Sequence, residues 1–114
     1  TAGLSKDEAM VRAYEEDPLI FTKACARWFT ETTMAQDQVM AEASRVRLPV
    51  LIMHGAADPI ANPAVTQAFH ERCDSPDKTL KLYPGLRHEI FNEIERETVY
   101  ADVADWLDER CLPR

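Results

Sequence analysis

The sequence predicts an α/β fold in which buried parallel strands are joined by a crossover helix and preceded by a helical segment. Three observations predict it. Val50 to Met53 is an uninterrupted apolar run, entered through Pro49 and closed by Gly55, the pattern of a strand covered on both faces. Thr79 to Tyr83 is a second run, in which Leu80 and Leu82 alternate against Lys81 before the turn signal Pro84-Gly85; its alternation implies one wetter face. Between them Asn62 reads as an N-cap with Pro63 at the first helical position, and Val65, Phe69 and Cys73 recur at helical spacing. A strand, helix, strand crossover of this kind makes the two strands parallel and right-handed.

The remaining elements follow in order. A first helix starts at the capping box Ser5 with Glu8, includes Met10, Val11 and Tyr14, and is interrupted at Asp17-Pro18. A longer helical stretch from about Ala24 to Ala43 carries Trp28, Phe29, Met34, Val39 and Met40 in an imperfect amphipathic arrangement. Those side chains suit either a cover over an apolar ligand or plain packing onto a core, and the sequence leaves their facing open. The character of the chain changes near Ser44, dividing it into residues 1–44 and 45–114. A last helix is expected after Asn92 and Glu95 as its cap, with Val99, Val103, Trp106 and Leu107 as the buried stripe and Glu97, Asp102, Asp105 and Glu109 facing water.

Composition removes several classes of function. The chain has 114 residues, 46% hydrophobic and 29% charged, and a net charge of −7 with its basic residues scattered among acids. That balance argues against nucleic acid and gives no attraction to an anionic membrane. No apolar run is long enough for a transmembrane segment. Cys25, Cys73 and Cys111 lack metal-ligand spacing, and an odd count disfavours a secreted disulfide framework, so a reducing cytoplasm is expected. No metal site is expected either. The chain opens on Thr rather than Met and shows no signal peptide. Two neighbouring strands make a poor sheet alone, so Val50 to Met53 expects further strands and cover.

Chemistry concentrates just past the two strands. Parallel strands end at the same edge of the sheet, where ligands of open α/β sheets bind, so Asp58 and His88 emerge side by side. A carboxylate there can accept the proton on one imidazole nitrogen while the other serves as general base to a hydroxyl. Asp58 alone would read as a turn former before Pro59; its place past a buried strand and its partner His88 favour the paired role. His54, at the strand end, is read mainly as local packing, with substrate contact as the lesser reading, and His70 as a surface residue. Glu89, Glu93 and Glu95 read as a solvated loop and a helix cap. An amine-activated Thr1 nucleophile is disfavoured, because Thr1 leads into a capped helix rather than a strand. Ser5, Ser44 and Ser75 lie in LSK, ASR and DSP contexts, and no G-x-S-x-G nucleophile elbow occurs.

PVLIMHGAADPIANP, SPDKTLKLYPGLRHEIFNE and ERETVYADVADWLDER, with DEAMVRAYEEDPLIF near the start, resemble the α/β-hydrolase superfamily, within it the monoacylglycerol lipase and lysophospholipase-like group. The stretch IFTKA at Ile20 to Ala24 departs from that pattern, in which a glycine and a basic residue follow Asp-Pro-Leu. The resemblance implies the C-terminal part of a three-layer sandwich, with residues 1–44 as a helical cap remnant and 45–114 as the last strands and helices of the core. It makes Asp58 the acidic member and His88 the histidine of a catalytic triad. The order serine, acid, histidine then puts the nucleophile upstream of Thr1. The implied activity is hydrolysis of carboxylic esters, monoacylglycerols or lysophospholipids, with no cofactor. The natural partner would be the missing N-terminal part of the core. Peripheral contact with membranes is compatible with a cytoplasmic setting. Thioesterase, peptidase, epoxide hydrolase or dehalogenase chemistry, or a non-catalytic interaction module, are the alternatives.

Overall fold

The two apolar runs are strands, and they pair in parallel. In the structure, a computed structural model, residues 1–111 are described. β1 spans Val50–Gly55 and β2 spans Lys78–Tyr83, in a register that sets Val50 against Lys78 and Gly55 against Tyr83. Both strands therefore end level at one edge of a two-stranded sheet. Helix α3, Pro63–Arg72, crosses between them; the Asn62 side chain accepts from the Ala64 amide at 2.9 Å, and Pro63 occupies the first turn, where its missing N–H costs nothing. Cys73 is not on the helix. It is the C-cap, buried, with its amide bonded to the Phe69 and His70 carbonyls.

Two helices precede the sheet. α1 spans Glu8–Glu16 and is capped by Asp7, whose carboxylate accepts from Ala9 N at 3.0 Å. The expected Ser5 cap is thus displaced by two residues, because Ser5 is buried and bonds elsewhere. α2 spans Ala26–Ala41 with no buried residue. A 3₁₀ turn, Ala43–Arg45, carries Ser44 and connects α2 to β1.

The core sits where α4, Arg96–Cys111, returns over the strand ends. Tyr83, Leu86, Ile90 and Val99 form it, with Met53 packed alongside. Asn92 does not cap α4: it lies in a 3₁₀ turn, Ile90–Asn92, and its amide donates to Glu89 at 2.8 Å. The stripe is narrower than the expected set of Val99, Val103, Trp106 and Leu107. Val99 is fully buried and Val103 and Trp106 partly so, but Leu107 is exposed. Asp102 faces the sheet rather than water, accepting from Lys81 Nζ at 2.5 Å and from the Tyr83 hydroxyl at 2.7 Å. Both donors hold its carboxyl below the usual range, while burial and the same carboxylate push the Tyr83 phenol up. Farther along, Arg110 pairs with both oxygens of Asp77, at 2.6 and 2.7 Å, and lies over the Trp106 ring. This is a bidentate, stacked arrangement that ammonium cannot replace.

Candidate active site

The aligned strand ends set the geometry. The backbone of the loop after β1 bonds directly to the loop after β2, Ala56 N to Tyr83 O at 2.8 Å and Ala57 N to Leu86 O at 2.9 Å. So close is the approach that a Cβ on Gly55 would fall 2.1 Å from the Arg87 carbonyl oxygen and 2.5 Å from that of Leu86. Only glycine fits there. Gly85, with φ of 77°, supplies the left-handed residue that turns the chain out of β2.

His88 and Asp58 meet across these loops: Nδ1 donates to Asp58 Oδ2 at 2.8 Å. The other carboxylate oxygen accepts from the amides of Ile60 at 2.7 Å and Ala61 at 3.0 Å. Asp58 is therefore both the turn former and the partner of the histidine, with one oxygen for each task. Its side chain is only 1% exposed. Burial raises its pKa, but the His88 bond and the two backbone donors outweigh this, and the carboxyl is held below its ordinary value.

A second imidazole shares the same oxygen. His54 Nε2 lies 3.0 Å from Asp58 Oδ2 and 3.2 Å from Ala61 O, and its Nδ1 lies 2.7 Å from the Thr66 hydroxyl on α3. Assigned from these partners, His54 carries its proton on Nε2 and accepts from Thr66 at Nδ1. Both its nitrogens are committed and its side chain is 13% exposed, against 40% for His88. His88 Nε2 has no hydrogen-bond partner among the described residues and is the nitrogen able to exchange a proton. Of two histidines on one carboxylate, His88 thus has the unengaged nitrogen that a general base needs. The spacing His54-Gly55-Ala56-Ala57-Asp58 was the available signal for this second contact, and reading His54 chiefly as packing passes over it.

The loop carrying His88 is tied down by the N-terminal segment. Glu89 N donates to Leu4 O at 2.8 Å and His88 N to Gly3 O at 3.4 Å, while the Arg87 guanidinium donates to Ala2 O at 2.5 Å and Ser5 O at 3.1 Å. Glu93, expected in a solvated loop, is fully buried at the centre of this junction. It accepts from Arg87 N at 2.6 Å, Lys6 N at 2.8 Å and Ser5 Oγ at 3.2 Å. No local pattern reveals it, since its donors come from both ends of the chain. Arg96 completes the tie, reaching Asp7 at 3.2 Å.

A 220 Å³ cavity opens on the pair, lined by Met53, His54, Asp58, His88 and Ile90. Among the described residues no serine lines it. Ser5 donates to Asn92 O at 2.8 Å and Ser75 to Asp77 O at 3.0 Å. A larger apolar groove of 880 Å³ runs between α2, β1 and α3, with Val39, Met40, Ile52, Val65 and Phe69 among its walls, whereas Trp28, Phe29 and Met34 stay exposed. His70 is half-buried rather than a surface residue, and its Nε2 is enclosed without a partner. Cys25, Cys73 and Cys111 are free thiols. Among the described residues no His, Cys, Asp and Glu group is arranged to hold a metal, and no helix is long and apolar enough to cross a membrane.

A family model described as serine aminopeptidase, S33, matches residues 1–95. The monoacylglycerol lipase of Mycolicibacterium smegmatis is 33% identical over 105 residues, covering 91% of this chain and 38% of that protein. Among solved structures, the monoacylglycerol lipase of Paleococcus ferrophilus superposes with a TM-score of 0.88 at 30% identity, over 94% of this chain and 42% of that one. The soluble variant of Saccharomyces cerevisiae monoglyceride lipase, solved with a substrate analog, gives 0.83 at 31% identity, over 95% and 41%. The chain thus spans roughly two-fifths of the length of each of these relatives.

Proposed function

This chain belongs to the α/β-hydrolase family described as serine aminopeptidase, S33, and from that premise we propose that it is the C-terminal portion of a serine hydrolase acting on carboxylic esters, monoacylglycerols or lysophospholipids. The observation that carries the reading is the buried Asp58 side chain bonded to His88 Nδ1 at 2.8 Å, with both residues lining a cavity. Residues 1–44 are the end of a cap and 45–114 the last part of the core. The partner is the upstream sheet, which would add strands beside β1 and bring the nucleophile on its elbow. A cytoplasmic setting, compatible with peripheral contact with membranes, is part of the same proposal.

In this reading an upstream serine hydroxyl attacks the ester carbonyl as His88 Nε2 takes its proton. The imidazolium, stabilised by Asp58, returns that proton to the departing alcohol, leaving an acyl-enzyme. Water, deprotonated by the same nitrogen, then releases the acid and regenerates the serine. No cofactor enters the cycle. Lipid-like substrates are supported by the names of the relatives, monoacylglycerol lipases, and by the apolar groove beside the site.

Fluorophosphonate treatment of the full product of the native gene, read by intact mass, tests this. An adduct mapped to a serine upstream of Thr1, lost together with ester turnover, is expected. A full-length product that takes no adduct overturns the reading and leaves an epoxide hydrolase or dehalogenase with a carboxylate nucleophile, or a non-catalytic interaction module, in its place. The description of the matching family supports a second reading, peptide hydrolysis; faster turnover of aminoacyl arylamides than of monoacylglycerols by the same protein would select it.

A further inference from the structure

We infer that His54 is a positioning residue for Asp58, and that by donating to the same carboxylate oxygen as His88 it sets how much negative charge that oxygen offers the catalytic imidazole. The inference rests on the reading of Asp58 and His88 as acid and base. Oδ2 accepts two imidazole N–H groups, from His88 at 2.8 Å and His54 at 3.0 Å, while Oδ1 is filled by two backbone amides. The carboxylate is saturated, and the two rings draw on one lone-pair region. His54 can play this part because its tautomer is held. Thr66, one turn into α3, faces Nδ1 and leaves the proton on Nε2.

Titratable and charged groups come to His88 from several elements. From the loop after β1 comes Asp58 and from β1 His54; on its own loop stand Arg87, engaged with the Ala2 and Ser5 carbonyls, and Glu89, which accepts from Asn92; and at the junction with the N-terminal segment stand Glu93, bonded to Arg87 N, and Lys6, paired with Glu95. Removing the His54 donor leaves Asp58 with more uncompensated charge facing His88. That favours the imidazolium in the variant, so activity fails at a higher pH on the acid side.

The test is the pH profile of kcat/KM in the complete enzyme, which reports the free enzyme's groups. His54→Phe keeps the ring and removes both nitrogens; His54→Gln keeps an N–H where Nε2 stands. The acid limb should move up by about half to one pH unit in His54→Phe and return to its native position in His54→Gln. Should His54→Phe fold poorly, Thr66→Val, which releases the tautomer, should move the limb in the same direction by less. An acid limb unmoved in folded His54→Phe and Thr66→Val, or moved down, overturns the inference. His88→Ala run alongside separates the two ideas: if it retains full turnover, the reading of the pair has failed and the inference with it, whereas turnover lost in His88→Ala with an unmoved acid limb in the folded His54 and Thr66 variants overturns the inference about His54 alone.

Discussion

The helical layer and the strand unit that carries Asp58 and His88 are held by different means. α2 has no buried residue, its threonines Thr30 and Thr33 bond back to their own helix, and Arg72 of α3 reaches its Met40 carbonyl at a long 3.4 Å. The loops after β1 and β2 are, by contrast, fastened to each other and to the N-terminal segment by backbone bonds, by Asp58 and by Glu93. One region offers apolar surface to something outside it, as an exposed group of Trp28, Phe29 and Met34 does. The other completes its geometry internally. The difference teaches that the acid–histidine pair is held by loop-to-loop fastening, to which α2 contributes no hydrogen bond among the described residues.

Substitutions can break that comparison or sharpen it. The largest effect is expected at the pair itself. In the complete enzyme His88→Ala or Asp58→Asn should lower turnover by about 10⁴-fold, as loss of the orienting acid does in the serine protease template; steady-state ester hydrolysis reads it, and native turnover in either variant would end the assignment. Gly55→Val comes next, because its side chain has nowhere to go but into the Leu86 and Arg87 carbonyls. It should cost roughly 1–3 kcal/mol or more in urea unfolding and displace His88, lowering kcat along with stability.

Glu93→Ala leaves the part-buried amides of Arg87 and Lys6 without their acceptor, while the Ser5 hydroxyl keeps the Asn92 carbonyl. A loss of about 3 kcal/mol is expected from that alone. Unchanged urea stability would mean that the N-terminal segment does not fasten the histidine loop. Asp102 provides a smaller, pH-dependent effect. Its carboxyl is held below the ordinary value by the bonds from Lys81 and Tyr83. A carboxyl depressed on folding contributes stability that is full above the unfolded value, about 3.9, and fades as pH falls below it. Stability measured between pH 7 and pH 3 should therefore fall less steeply in Asp102→Asn than in the parent. Trp28→Ala lies at the bottom of the scale. Its side chain is 60% exposed, so a stability change within about 0.5 kcal/mol is expected, with ester turnover on a short, soluble substrate unaffected. A large loss there would show that α2 is cemented in the complete protein more firmly than this chain reveals.

Much of the architecture can be read from neighbouring residues alone. The apolar run at Val50, the Asn62-Pro63 start and the Pro84-Gly85 stop are signals of strand, helix and turn whose physics is settled within a few residues. Even the pairing of Asp58 with His88 is legible, because a right-handed crossover leaves parallel strands no choice about which edge their ends share. What the sequence could not decide was the fate of polar side chains. Ser5 looks like a cap, Asp102 like a solvated face and Glu93 like a loop acid, and each is instead taken up by a partner distant in the chain, Ser5 and Glu93 by one another across 88 residues. His54 needs the same knowledge, for only the folded loop shows that it and His88 reach one oxygen. Periodicity and capping are local and are encoded where they act. The donor that a buried carboxylate finds depends on which backbone amides the tertiary fold brings within about 3 Å, and that the tertiary structure alone decides.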